Sequence, residues 1–325
     1  MNKRERFYAA VEGAPVDRPP VCVWMHFVTP YLSGRAAGER HCEFIRHYDW
    51  DLAKAVSDYR FPFPDGMASL SSAEDMGRLK SQSMDHPTYA KQLELLRTMR
   101  ADLGADWPII DTTFNPIQQI VRYAGASAQR LILDNPGKAK PMLEAVTETV
   151  ICYMRALAAE GVDGVFYSTW AAATEAAPTG YSKEVFEDLV RPFDIAILAE
   201  TKGVVRMLHA CKNHLDLDRV ADFPHEVLSW ATNDPTCPTL SEMRSRSDKC
   251  LMGGINQARV IDQAAPEIRH DIEMALAETG GKKFILAPGC TFGSNAPDHV
   301  LATIAEYTCS TPKERKAQVQ LSVSD

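Results

Sequence analysis

His209, Cys211 and Cys290 are the residues whose types and spacing most plainly suggest chemistry. Val204, Val205, Met207 and Leu208 form a short apolar run with a β-branched start, which reads as a buried strand. His209 and Cys211 stand at its C-terminal end. Strand side chains alternate faces, so these two point the same way. An imidazole beside a soft thiolate suits Zn²⁺. Cys290 follows Pro288 and Gly289, just past a second apolar run from Phe284 to Leu286. If both strands end on one rim, the three residues make a three-ligand site with an open fourth position. That is the catalytic form of a zinc site, and it lowers the pKa of a bound thiol enough for a thiolate to persist at neutral pH.

The elements that must position these residues follow in a regular order. Strands are expected at Val21–Met25, Trp107–Phe114, Gly164–Ser168, the run ending in His209 and Cys211, Glu226–Trp230, Cys250–Ile255 and Phe284–Gly289. Helical periodicity appears in residues 3–12, 40–48, 86–103 and 139–160. Ser182 is an N-cap for a helix reaching about residue 201. Thr239 and Glu242 form a capping box, residues 265–278 are helical, and Asn295 with Pro297 opens a last helix. Strand and helix alternation implies a parallel sheet covered by helices. With about eight strand candidates, the expected fold is a single-domain α/β (β/α)8 TIM barrel over residues 1–325, with its site at the C-terminal strand ends. Residues 309–325 are expected to be a flexible tail. An open doubly wound sheet is the alternative, but no G-x-G-x-x-G or Walker A sequence supports it.

Other strand ends supply further candidates. His26 and Asp111 are the candidate catalytic residues: His26 either assists chemistry or packs in the core, and Asp111 either orients a ligand or caps a strand end. Tyr167 and Trp230 are aromatic candidates for a cofactor wall, with core packing as the competing reading. Gly254 allows close backbone approach at a strand end. His214 and His225 lie beyond strand ends and are expected to be solvated. Cys22, Cys152 and Cys250 sit in apolar surroundings and read as core thiols.

The chain has 325 residues and a formal net charge of −8, with no basic run or Arg-rich helix, so nucleic-acid binding is not expected. No apolar stretch is long enough for a membrane span, and the N-terminus lacks the apolar core of a signal peptide, so a cytoplasmic protein is expected. Eight scattered cysteines without a C-x-x-C fit buried thiols or metal ligands better than disulfides.

The order of four motifs resembles the uroporphyrinogen decarboxylase superfamily. They are ERFYAAVEGAPVDRPPV near the N-terminus, HAC at 209–211, GGI at 253–255, and FILAPGC ending at Cys290. The resemblance implies the barrel and two branches of function. Decarboxylases of the superfamily bind tetrapyrrole carboxylates with arginines just after the first strand. Here Met25 to Pro30 reads MHFVTP, and that Arg-rich pattern is missing. Asp58 sits somewhat like the acid of the decarboxylase Phe-Ser-Asp motif. The other branch holds corrinoid methyltransferases, whose zinc motif is His-x-Cys with a distant Cys. His209, Cys211 and Cys290 match it. Cobalamin-independent methionine synthase has a similar zinc set with a Glu ligand between. Ala231 stands near that position here, and Asp234 is the nearby acid. The branch implies methyl transfer between a corrinoid (free cobalamin or a corrinoid protein) and a small-molecule thiol or pterin. The cofactors implied are zinc and a corrinoid as methyl carrier. A tetrapyrrole carboxy-lyase is the alternative. The direction of transfer and the oligomeric state stay open.

Overall fold

The computed structural model describes residues 1–27 and 32–309. Seven strands form one parallel sheet in chain order: β1 (Ala53–Lys54), β2 (Ile109–Phe114), β3 (Gly164–Thr169), β4 (Val205–Ala210), β5 (Val227–Trp230), β6 (Cys250–Ile255) and β7 (Phe284–Pro288). The helices are α1 (Lys3–Glu12), α2 (Gly34–Tyr48), α3 (Pro87–Leu103), α4 (Pro116–Ala124), α5 (Ala126–Asp134), α6 (Pro136–Ala159), α7 (Lys183–Val185), α8 (Arg191–Glu200), α9 (Leu240–Arg246), α10 (Ala265–Thr279) and α11 (Asp298–Cys309). A π-helical turn, Phe186–Val190, joins α7 to α8, so the single helix expected after Ser182 is interrupted. The Ser182 cap and the Thr239–Glu242 capping box both form. The expected tail lies outside the described residues beyond Cys309, which itself closes α11. Among the described residues no helix is long and apolar enough to cross a membrane.

An eight-stranded barrel was expected; among the described residues seven strands form the sheet, six of the seven named candidates together with β1. Val21–Met25 is not a strand but makes two isolated parallel bridges, Val21 to Leu286 and Met25 to Phe292. The Cys22 N–H donates to the Leu286 carbonyl at 2.9 Å, and the Asp51 N–H donates to the Val21 carbonyl at 3.0 Å. The segment thus touches β7 on one side and the approach to β1 on the other without a continuous ladder. Pro19 and Pro20 lack N–H groups, so the ladder is not continued on the N-terminal side of the segment. The short strand β1 had no separate signal in the sequence.

The sheet is curled, because residues from its two ends pack together inside it. Leu52, Ile110, Phe166, Met207, Val227, Met252 and Ile285 join one interior cluster, with Phe7 and Val11 of α1 at one end. The alternate strand residues, including Val165, Leu208, Leu228, Leu251 and Leu286, pack outward in the helix-covered core. Each strand therefore presents one set of side chains inward and the other to the helices.

The N-terminal motif that carries the resemblance is a clasp. Fully buried Asp51 accepts from Arg6 at 2.8 Å, from Arg18 at 2.5 Å, and from the Val21 N–H at 2.8 Å. Asp163, just before β3, accepts from Arg4 and Arg100, both at 2.6 Å. Both carboxylates precede a strand, at the end opposite His209 and Cys211. Removing one partner of such a buried network costs about 3–5 kcal/mol, since it leaves an uncompensated charge.

Candidate functional site

β4 and β7 bring the three ligand candidates together at the C-terminal rim. The ligand atoms of His209, Cys211 and Cys290 all lie within 4.8 Å of one another. His209 is inward-facing and only 3% exposed. Its ring stacks on Phe166 at 4.8 Å and 24°. His209 Nδ1 meets Ser229 Oγ at 3.3 Å, and its Nε2 is buried with no hydrogen-bond partner among the described residues. A ring held at one nitrogen with the other left bare beside two sulfurs is the arrangement of a metal-ligating histidine. Cys211 is held by its N–H, which donates to the Thr169 carbonyl at 2.9 Å. Cys211 close by, with His209 adding to it, pulls the Cys290 thiol well below its usual range. The same closeness, with burial, pushes Cys211 up. This donor set fits a thiophilic divalent ion such as zinc.

Gly289 is what lets Cys290 reach the others. A Cβ there would lie 2.6 Å from the Ala231 Cα and 3.0 Å from the Trp230 carbonyl. Only glycine allows that backbone approach.

A pocket of about 580 Å³ opens above this centre, lined in part by His26, Asp58, Arg60, Arg122, Cys211 and Lys212. His26 Nδ1 meets Asp58 Oδ1 at 2.5 Å. Burial alone would raise the Asp58 pKa, but His26, Arg122 and Arg60 together bring it down, so it is an anion. Lys212 has φ of 94°, a strained backbone for a side-chain-bearing residue directly after a ligand candidate. Deeper in the interior, Lys54 donates to Thr112 Oγ1 at 2.6 Å. Its ammonium sits 4.4 Å from the Trp24 ring centroid and 4.1 Å from that of Phe166. Burial pulls its pKa down to about 8.

Four other candidates are not brought to the pocket. Asp111 points outward, where it accepts from Gln92 at 2.9 Å and from Tyr153 at 3.0 Å, and burial lifts its pKa to about 7. Tyr167 also faces the helices, donating to Asp194 at 2.8 Å. Trp230 is fully buried on the outer face, its Nε1 donating to the Pro238 carbonyl at 2.7 Å. Gly254, with φ of 103°, serves helix packing, since a Cβ there would lie 2.5 Å from that of Ala275. Asp234 is not in the cluster and accepts from Thr236. His225 is buried and not solvated, with Nδ1 at 2.7 Å from the Phe223 carbonyl; His214 is partly buried. Cys22 and Cys250 are core thiols, pushed up to about 12 by burial, while Cys152 is only partly buried.

Sequence reasoning missed Lys54, Phe166, Ser229, Arg60 and Arg122. Two of these leave a trace: Lys54 and Ser229 are polar residues inside apolar runs, LAKAV and VLSW. The arginines lie in a loop and a helix with no such signal.

Among solved structures the chain is similar to a methyltransferase from Methanosarcina mazei, with 17% identity and a TM-score of 0.74. That match covers 95% of this chain and 100% of the other. It is also similar to a putative vitamin-B12 independent methionine synthase from Listeria monocytogenes, with 12% identity and a TM-score of 0.56, over 84% of this chain and 86% of the other. At these identities the likeness is one of fold. No curated protein sequence matches the chain. The family model described as uroporphyrinogen decarboxylase (URO-D) matches residues 62–308, a span holding all three ligand candidates, and the chain belongs to that family.

Proposed function

We propose that this protein is a zinc-dependent methyltransferase that moves a methyl group between a corrinoid and a small thiol or pterin. The observation that carries this reading is the grouping of the His209, Cys211 and Cys290 ligand atoms within 4.8 Å, with His209 Nε2 buried and unpartnered among the described residues. A zinc ion bound there supplies the Lewis acidity that keeps an acceptor thiol ionised at neutral pH. The chain's own residues do the rest. Cys211, Cys290 and His209 would hold the metal beside the pocket. Ser229 and the Phe166 ring keep the imidazole plane aimed. His26, held at Nδ1 by Asp58, lines the pocket and would pass to solvent the proton an acceptor releases.

The test is metal analysis of protein purified without chelator, followed by thiol titration. The expectation is about one zinc per chain and about one proton released per thiol bound near pH 7. Protein holding less than ~0.2 zinc per chain would sink the reading. A zinc-loaded protein that binds no thiol and releases no proton would shift the acceptor toward a pterin. The alternative, a tetrapyrrole carboxy-lyase, draws support from the cations and the Asp58 carboxylate in the pocket. It requires no metal, so the zinc measurement separates the two.

A further inference from the structure

Lys54 carries a positive charge into the interior of the curled sheet, and no anion is bonded to it. The side chain is buried on β1 and makes no salt bridge among the described residues. It donates to Thr112 Oγ1 at 2.6 Å, and that hydroxyl in turn donates to the Ala55 carbonyl at 2.8 Å. The rings of Trp24 and Phe166, packed edge to face at 5.1 Å, take up the rest of the ammonium. Ring faces are negative, so this cage suits the charged amine. Burial lowers its pKa only to about 8, which leaves it a cation at pH 7. Neither nearby acid balances it. Cys22 is pushed up to about 12 and is a neutral thiol, and Asp111 faces the helices with its pKa lifted to about 7. A buried cation without a bonded anion costs stability, and an apolar side chain of similar length would pack here without that cost.

The neighbours of Lys54 tie it to the metal centre. Phe166 on β3 touches the ammonium from β1 and also stacks on the imidazole of His209 from β4. One ring is thus shared between the cation and a ligand candidate. Cys290 is close enough for its thiolate to help hold the proton on Lys54. Zn²⁺ with two thiolates and a neutral imidazole carries no net charge. A third thiolate takes the centre to −1, in a dry interior where one nearby cation has a large effect. Water or another neutral ligand adds no such charge.

We propose that Lys54 is a positioning residue of the centre, an interior counter-charge that favours a thiolate over a neutral ligand at the fourth position of the metal. It acts through its charge and the Phe166 ring, without touching the acceptor. Thr112 and the two rings fix the ammonium before a thiol arrives, so the charge is in place without reorganisation. This rests on the methyltransferase reading for the metal and the thiol; what it adds is the choice between charged and neutral ligands.

The test compares zinc-loaded native protein with Lys54→Met in calorimetric titrations of two ligands. One is 2-mercaptoethanol, which binds zinc as a thiolate and releases its proton; the other is imidazole, which binds as a neutral molecule. In Lys54→Met the thiol affinity should fall on the order of ten-fold. Imidazole affinity, and zinc affinity from chelator competition, should stay within about three-fold of native. Loosened packing around His209 would lower all three together, so the split separates charge from structure. Lys54→Gln also removes the charge but keeps an amide donor in the cage, and it carries the test if Lys54→Met does not fold. Failure of both neutral variants to fold would assign Lys54 to the fold and overturn the proposal. Unchanged thiol affinity, or equal losses for thiol and imidazole, would overturn it too. In either case zinc uptake and proton release by the native protein would leave the methyltransferase reading standing. A native protein that holds no zinc sinks that reading and takes this proposal with it.

Discussion

Lys54→Met removes a cation from the protein interior, and its consequence can be worked out from the structure. Lys54 is 3% exposed, between the rings of Trp24 and Phe166, with Thr112 as its hydrogen-bond acceptor. Burial lowers its pKa from 10.5 to about 8, against the opposing pull of Cys22, Asp111 and Cys290. The folded state therefore binds fewer protons than the unfolded state between about pH 8 and 10.5. Stability rises with pH wherever the unfolded state binds more protons, so this lysine costs most below pH 8 and progressively less above it. At pH 7 the cost is on the order of 3 kcal/mol, and by pH 9 it has fallen by roughly 1 kcal/mol. Methionine fills nearly the same volume and does not titrate, but it gives up about 1 kcal/mol of hydrogen bond and about 1–2 kcal/mol of cation–π attraction. The variant is thus expected to match or slightly exceed the native protein at pH 7. Its advantage should shrink by roughly 1 kcal/mol by pH 9. Urea unfolding of both metal-free proteins at pH 7, 8 and 9 measures that difference directly. A difference that stays flat across the range, or widens with pH, would refute the buried-lysine argument.

Cys290→Ala should fold but lose most bound zinc, whereas Cys250→Ala, which alters a core thiol, should keep it; normal zinc in Cys290→Ala would remove that residue from the site. Gly289→Ala drives a Cβ to 2.6 Å from the Ala231 Cα, and backbone cannot yield as a side chain can. Metal affinity in a chelator competition should fall roughly ten- to a hundred-fold with secondary structure unchanged, and native affinity would contradict the packing argument. Asp111→Asn should leave zinc content and activity intact, because Asp111 faces the helices. The native Asp111 holds its proton to about pH 7, so the stability it contributes is greatest below the unfolded value of 3.8 and declines as pH rises to 7. Unfolding curves of Asp111→Asn should lack that decline, on the order of 3–4 kcal/mol, and a strong loss of activity would return Asp111 to the catalytic list.

The grouping of His209, Cys211 and Cys290 at strand ends was legible in the sequence because it depends on local rules. The period of two puts His209 and Cys211 on one face, and an apolar run ending at Pro288 and Gly289 marks another strand end. The caps at Ser182 and Thr239 were legible for the same reason: their partners lie three residues away. What periodicity leaves open is which of the two faces turns inward. Asp111, Tyr167 and Trp230 each stand one residue from an inward neighbour, Thr112, Phe166 and Ser229 respectively. Only the curl of the sheet and its register assign the faces, and they send all three candidates to the helix side. The failure of Val21–Met25 to pair as a strand was likewise decided by its neighbours, since its composition matches a strand well. The cationic wall of the pocket is also a product of folding. Arg60 comes from an aromatic, Pro-rich loop, Arg122 from α4, and Lys212 from the strained turn after β4. Nothing in their local sequence relates these residues, and their shared charge acquires meaning only once the chain closes around one cavity.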